Sequence, residues 1–144
     1  MTHEDKGHYA KKHPTDRKVK PEVVDALKKQ ISDKGILCSA AHKVANDLGE
    51  SPAEVGFTLD FLEEPITKCQ MGLFGYRPEK KIVKPAETVP QEVEEAIRKN
   101  MVTNRLSCKS AWEIAERLGM KRMEIASACE ALKIKISPCQ LGAF

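Results

Sequence analysis

The amino-acid sequence contains an internal repeat, and this repeat limits the fold more than any other feature. When the chain is shifted by 70 positions, residues 19–74 align with residues 89–144 without a gap. Of the 56 aligned pairs, 17 are identical, far more than unrelated segments share. A period of 70 residues is longer than the about 20–50 residues of solenoid repeats and is typical of a duplicated small domain. The same fold is therefore expected twice.

One phrase shows the duplication clearly. Residues 68–76 read KCQMGLFGY, and residues 138–144, at the C-terminus, read PCQLGAF. The glycine in each copy permits a positive φ or a close approach of two backbones just after a strand. We expect Phe74 and Phe144 to fold back as apolar plugs, each over its own repeat.

Three helices are predicted in each repeat. The first is predicted over 21–34 and 90–101, where apolar residues recur at helical spacing and a proline precedes them or stands in the first turn. A second helix is expected to end at Gly49 or Gly119, because glycine accepts the left-handed conformation of a helix C-cap. The third is predicted to begin at Ser51, where a serine, a proline and a glutamate three positions after the serine form a capping-box pattern.

Short apolar segments separate these helices. Residues 35–38 and 105–108 precede the second helix of each repeat, and residues 65–72 and 134–142 follow the third. Their β-branched residues and their alternation predict strands. The predicted fold class is mainly α with short β-strands, in the order helix, strand, helix, tight turn, helix, strand within each repeat.

Charge follows the same division of the chain. We predict a basic N-terminal arm over residues 1–18, a first repeat over 19–75, a basic linker over 76–88 and a second repeat over 89–144. Residues 21–75 carry five Lys/Arg against nine Asp/Glu, a net charge of −4, whereas residues 89–144 carry nine against seven, a net charge of +2. The two repeats are therefore expected to differ in the partners that they attract.

Hydropathy and cysteine content indicate a location in the cytoplasm. No apolar run approaches the about 18 residues of a membrane span, and the N-terminal residues lack the apolar core of a signal peptide. The sequence contains five cysteines, an odd number. Without an export signal, this number indicates reduced thiols. No membrane contact is expected.

Two longer phrases resemble the winged helix-turn-helix superfamily. They are VANDLGESPAEVGFTLDFLEE, residues 44–64, and IAERLGMKRMEIASACEALKIKI, residues 114–136. The resemblance covers both repeats and implies two tandem winged-helix-like domains that bind DNA through the third helix, which enters the major groove. The sequence departs from the pattern after Gly72 and Gly142, where a second wing strand is missing. We therefore expect variants of this fold without a complete wing.

Under this resemblance, the second repeat is the better candidate for binding double-stranded DNA. The third helix of the first repeat, predicted over 52–64, carries four carboxylates and no Lys or Arg, which is unfavourable beside a polyanion. The residues expected to contact DNA are Lys80, Lys81, Lys109, Lys121, Arg122 and Lys133. The sequence thus predicts a DNA-binding protein that regulates transcription.

An alternative function stays open. The acidic first repeat suits a protein partner, in a non-catalytic module for protein–protein interaction or for thiol or metal sensing that does not bind DNA. The two repeats are expected to pack as a pseudo-dimer, or two chains as a homodimer. Neither repeat contains a catalytic motif or a cofactor fingerprint, so we expect no enzyme and no cofactor apart from the zinc alternative below.

The cysteines are the candidate chemical residues. Cys38 and Cys69 are 31 positions apart, and so are Cys108 and Cys139. In a winged-helix arrangement the strand after the first helix pairs with the strand after the third, which would bring each pair together. Cys129 occupies the position of an apolar residue of the first repeat and is expected in the core.

Three interpretations of the paired cysteines remain. The first is packing, since cysteine behaves as a small buried hydrophobe. The second is a redox pair, because Cys38 and Cys108 lie at helix N-termini, where a thiol ionises more easily. The third is zinc held by Cys38, His42 and Cys69. A structural zinc site usually has four ligands, and Trp112 replaces this histidine in the second repeat.

Overall fold

The structure of the protein is a computed structural model, and it describes residues 17–76 and 80–143 of the 144-residue chain. These residues are mainly helical, with a few short strands. The first half contains α1 (Pro21–Lys28), β1 (Ile36–Leu37), α2 (Cys38–Leu48), α3 (Pro52–Phe61) and β2 (Ile66–Thr67). The second half contains α4 (Gln91–Lys99), β3 (Arg105–Leu106), α5 (Cys108–Leu118), α6 (Arg122–Leu132) and β4 (Lys135–Ile136).

The order of elements is the same in both halves and is the order predicted from the sequence. The first helices are shorter than predicted, since α1 ends at Lys28 and a tight turn from Ser32 to Gly35 follows it. The strands are also shorter. Each has two residues, and β1 and β3 lead almost directly into α2 and α5.

The short strands pair as predicted, and they pair in parallel. Ile36 lies opposite Ile66 in the first half, and Leu106 lies opposite Ile136 in the second. In both halves, therefore, the strand after the first helix joins the strand after the third. These pairs bring the start of the second helix next to the chain that leaves the third helix.

Helix ends follow the sequence signals. Gly49 and Gly119 end α2 and α5 in the left-handed conformation, with φ of 66° and 65°. The Ser51 hydroxyl accepts a hydrogen bond from the Glu54 backbone N–H at 3.1 Å and so caps α3. In α6 the corresponding bond runs the other way, from the Lys121 backbone N–H to the Glu124 carboxylate at 2.9 Å.

The chain forms two compact units whose composition differs from the predicted boundaries. Among the described residues, unit 1 consists of residues 17–69 and 140–143, and unit 2 of residues 70–76 and 80–139. The chain thus enters unit 2 at Gln70 and returns to unit 1 at Gln140. Each unit contains the closing segment of the other repeat, so Phe74 does not fold back over its own repeat. Phe144, the second predicted plug, lies outside the described residues.

Unit 1 has α3 as its central helix. All six residues from Val55 to Asp60 are buried, on every side of the helix. The core around α3 includes residues of α1, β1 and β2 and, from the closing segment, Leu141, which is 1% exposed. The side chains of unit 1 that are 0% exposed are Val23, Leu27, Ala41, Val55, Thr58 and Leu59.

Gly56 explains how the closing segment fits against this helix. A Cβ atom at Gly56 would overlap the Leu141 carbonyl oxygen and would lie 2.7 Å from its carbonyl carbon and 3.1 Å from its Cα. These are backbone atoms, which cannot rotate away as a side chain does. The backbone of the segment therefore contacts the backbone of α3 at a point where only glycine fits. The equivalent residue of α6 is Ala126, so this contact distinguishes the two units.

We predict that Gly56→Ala destabilises the protein. A glycine-to-alanine change inside a helix normally stabilises by about 1 kcal/mol, but the overlap with Leu141 should cost about 1–3 kcal/mol beyond this gain. Urea unfolding of the parent and the variant measures the difference. In a chain that ends at Cys139 the same substitution should be neutral or stabilising. Equal destabilisation of both chains would contradict the contact.

Candidate nucleic-acid interface

Two basic residues begin α6 and remain exposed to solvent. Lys121 is the N-cap residue and Arg122 the first helical residue. The Glu124 carboxylate lies in the same turn and accepts from the Lys121 backbone N–H, which leaves the Lys121 ammonium group out of that bond. The helix therefore presents one flexible and one planar cation at the end where its backbone N–H groups are unsatisfied.

The Arg122 side chain is held in place by two other residues of unit 2. Its guanidinium carbon lies 3.6 Å from the centre of the Trp112 ring, and its Nη1 donates to the Gln70 side-chain oxygen at 3.3 Å. Trp112 belongs to α5 and is half-buried, while Gln70 is the first residue of the closing segment in unit 2. Cation–π stacking at an exposed site is worth about 0.5–1 kcal/mol. The guanidinium is therefore oriented and still exposed.

The other predicted DNA contacts do not all gather around Arg122. Lys109 is exposed in the first turn of α5, with Glu113 at 3.9 Å. Lys133 is the C-cap of α6, at the opposite end of the helix from Lys121. Twelve residues of helix separate these two lysines by about 18 Å at about 1.5 Å per residue. Lys121 and Lys133 therefore belong to opposite ends of α6 and not to one local cluster.

The two linker lysines differ in their surroundings. Lys81 forms an ion pair of 2.5 Å with Glu130 of α6, so its charge is already matched within unit 2. Lys80 is exposed. The charge of Lys80 is therefore more available to an external anion than that of Lys81.

The third helix of unit 1 does not present a comparable surface. Its central residues are buried, as described above, and its first-turn carboxylate, Glu54, pairs with Arg17 at 2.9 Å. The guanidinium carbon of Arg17 also lies 3.8 Å from the centre of the Phe57 ring. The sequence indicated a poor DNA-binding helix because of its acidic residues. Its burial inside unit 1 is a second and stronger reason.

The five cysteines form no disulfide, and four of them are buried. Cys38 and Cys108 are the first residues of α2 and α5, and Cys139 is half-buried. The backbone N–H of Cys108 donates to the Pro138 carbonyl at 3.1 Å, which brings the chain before Cys139 to the start of α5. Unit 1 contains Cys38 and Cys69, and unit 2 contains Cys108 and Cys139.

The structure bears differently on the three interpretations of the cysteines. In residues 17–76 and 80–143, no three His, Cys, Asp or Glu side chains are grouped closely enough to hold a metal ion, so Cys38, His42 and Cys69 do not form such a site. The three histidines of the N-terminal arm, His3, His8 and His13, lie outside these ranges. Burial of Cys38, Cys69 and Cys108 favours packing. The redox pair stays a prediction.

Cys129 lies in the core of unit 2, where the sequence placed it, and is 1% exposed. Burial, together with the nearby Glu130 carboxylate, raises the pKa of this thiol from 9.0 to about 12. A low-dielectric environment disfavours the thiolate, so the group remains protonated and unreactive at neutral pH.

Sequence reasoning missed Gln70 and Trp112 as the residues that hold Arg122. The tryptophan was noted only as the residue in place of His42, and the glutamine only as part of the repeated phrase. A tryptophan in α5 close to the N-terminus of α6 is a sequence signal that could have predicted stacking on Arg122. The role of Gln70 was hidden, because it depends on which unit receives the closing segment.

A shallow surface depression runs along α4 and is lined by Gln91, Glu94, Glu95, Arg98 and Lys99. It contains none of the candidate residues. Its walls carry mixed charges that pair along the helix, as Arg98 does with Glu94 at 2.8 Å. It therefore has no evident connection to the basic residues of α6.

We predict that Cys139 reacts first with an aromatic disulfide reagent at pH 8. The other four thiols are buried, and a buried thiol reacts only when the structure opens. A single fast phase of one thiol per chain is expected, and Cys139→Ala should remove it. A fast phase of two or more thiols would show that buried cysteines are more accessible than their positions imply.

We also predict that Cys129 lowers stability at alkaline pH. Between about pH 9 and 12 the thiol is ionised in the unfolded chain and protonated in the folded one, so folding becomes less favourable as pH rises through this window. Cys129→Ala should cost about 1 kcal/mol at pH 7, and this gap should close near about pH 10 and reverse by about pH 11, because each pH unit in this window costs the parent about 1.4 kcal/mol. The gap for Ala128→Gly, a neighbouring buried change, should stay constant.

No known protein family matches the chain, and no curated protein or solved structure is significantly similar to it. Within residues 17–76 and 80–143, no helix combines the length and the apolar character of a membrane span. Any functional assignment therefore depends on the geometry of the units themselves.

Proposed function

We propose that the protein binds double-stranded DNA through the start of α6 and regulates transcription, with two tandem winged-helix-like repeats that lack a complete wing. The observation that carries this proposal is Arg122, which is exposed at the first turn of α6 and oriented by Trp112 and Gln70. A planar guanidinium with several donors suits phosphate oxygens and guanine edges.

The connection between α5 and α6 supports the same function. Only residues 119–121 separate the two helices, and Gly119 turns the chain in the left-handed conformation. A turn of three or four residues that contains glycine is typical of the helix-turn-helix motif. In that motif the first residues of the second helix approach the bases, and here these residues are Lys121 and Arg122.

The position of these cations gives a further argument. Positive residues at a helix N-terminus are disfavoured by about 0.3–1 kcal/mol, because the helix dipole is positive there. Lys121 and Arg122 therefore bring no benefit to an isolated helix. A bound phosphate reverses this balance, since the backbone N–H groups and both side chains then face a negative charge.

The expected affinity is modest and depends on salt. Lys109, Lys121 and Arg122 can neutralise about three phosphates, which gives a slope of log K against log salt of about −3. Residues 21–75, most of which belong to unit 1, carry more carboxylates than Lys and Arg side chains. We therefore count no phosphate contacts from this unit. Sequence-specific binding would then need base contacts by α6 in addition to these ionic contacts.

We predict that Lys121→Ala/Arg122→Ala lowers affinity for duplex DNA at least about tenfold and reduces the salt slope by about 2. Fluorescence anisotropy of labelled genomic fragments at several salt concentrations measures both. The matched control is Lys28→Ala/Lys29→Ala in unit 1, which removes the same charge from exposed residues and should leave affinity within about twofold.

Two further readouts sharpen this test. Trp112 is the single tryptophan of the chain, so DNA that displaces or stacks near Arg122 should change its emission. Arg122→Lys keeps the charge and loses the planar stack, and should bind more weakly than the parent. Equal losses in the α6 and control variants, or no salt-dependent binding by the parent, would overturn the proposal.

The alternative function is a non-catalytic contact between unit 1 and a protein partner. It is favoured by Phe61, the last residue of α3, which is 51% exposed, with Glu63 exposed close behind it. An exposed aromatic beside carboxylates suits a basic protein surface with an apolar centre. Two results together would support this alternative. The parent protein would fail to bind DNA, and the Phe61→Ala variant would fail to retain a protein partner that the parent captures.

A further inference from the structure

We propose that the α3 surface at Gly56 is a docking site for the C-terminal segment, residues 140–143, and that a second copy of this chain can supply this segment. The occupant is thus another molecule of the same protein, and the recognised part is Gln-Leu-Gly-Ala. The inference does not depend on DNA binding.

The site is selective for a peptide backbone. As shown above, Gly56 admits the main chain of Leu141 where any other residue would block it. The Leu141 and Ala143 side chains are 1% and 6% exposed, so the segment inserts every second side chain into unit 1. Gly142, between them, is exposed. Peptide-binding grooves also bury alternate side chains of an extended segment and contact its backbone closely. The surface around Gly56 has both properties.

Unit 2 also receives the closing segment of the other repeat, although it has Ala126 where unit 1 has Gly56. Met71, equivalent to Leu141, is fully buried. The Gly72 carbonyl accepts from the backbone N–H groups of Ile82 and Val83 at 2.9 and 3.1 Å. A Cβ at Gly72 would lie 3.3 Å from the Met123 side chain of α6. In both units, therefore, the groove and the segment come from different repeats.

Residues 140–143 can separate from unit 1 at little structural cost. They follow Ile136 in a part of the described chain that contains no helix or strand, so their release disrupts none. The closing segment of unit 2 is followed by Lys81 and Ala86, which contact Glu130 and Ser127 of α6. A copy of residues 140–143 from another chain would make the same contacts, so exchange between chains keeps the contact energy. The remaining cost is the entropy of association, which falls in importance as concentration rises.

A complementation pair tests the proposal. The acceptor is a chain that ends at Cys139, whose groove is empty. The donor is the full chain with Gly56→Leu, whose own groove is blocked and whose segment is released. Sedimentation in reducing buffer at about 100–300 μM should show a 1:1 complex of about twice the 16.1 kDa chain mass. Each variant alone should remain a monomer, and reductant excludes a disulfide through Cys139.

A measurement with a synthetic peptide keeps the docking site testable if the shortened acceptor folds poorly. The synthetic peptide SPCQLGAF, residues 137–144, at about 1 mM should raise the unfolding midpoint of the acceptor by at least about 2 °C. The same peptide with Leu141→Asp should have no effect, and neither peptide should stabilise an acceptor that carries Gly56→Leu. Absence of both the complex and the shift would overturn the docking site. A shift without the complex would overturn the role of a second copy.

Discussion

The contact between the α3 backbone at Gly56 and the closing segment determines much of unit 1. The middle of α3 contacts another backbone on one side, and α1 and the strand pair pack around it on others. This accounts for the burial of every residue from Val55 to Asp60. It also accounts for the membership of residues 140–143 in unit 1, because their apolar side chains are buried only there. Burial of these six residues leaves Ala53 and Phe61, near the two ends of α3, as its exposed residues.

Duplication supplied two similar units, and a few substitutions at equivalent positions separate their roles. Unit 1 has glycine and phenylalanine in α3 where unit 2 has alanine and serine in α6, and it has proline where unit 2 has Arg122. The equivalent pairs are His42 and Trp112, Pro52 and Arg122, Gly56 and Ala126, and Phe57 and Ser127. These differences bury the third helix in unit 1. In unit 2 they provide an arginine, and the aromatic ring that orients it, at the start of the third helix.

The sequence predicts local structure well, because caps, periodicity and turn residues act over a few positions. Gly49, Gly119 and Ser51 perform their predicted roles, and the paired strands follow from the order of elements. The exchange of closing segments was not predictable in the same way. The two segments are so alike that Met71 or Leu141 would bury a similar apolar area in either unit. The close approach of the Leu141 backbone to Gly56 favours placement of residues 140–143 in unit 1. Hydrophobic patterns in the sequence do not reveal such an approach.

The exchange also links the two repeats chemically. Gln70 belongs to the first repeat, and its side-chain oxygen accepts a hydrogen bond from the Arg122 guanidinium in unit 2. Met71, next to it, is fully buried in the same unit. A second repeat cut from the chain at the predicted boundary before residue 89 would therefore lack both a core side chain and one of the two groups that orient its arginine. The boundaries of the units and of the repeats therefore differ at both closing segments. The segment that closes one repeat is part of the core and of the candidate binding surface of the other.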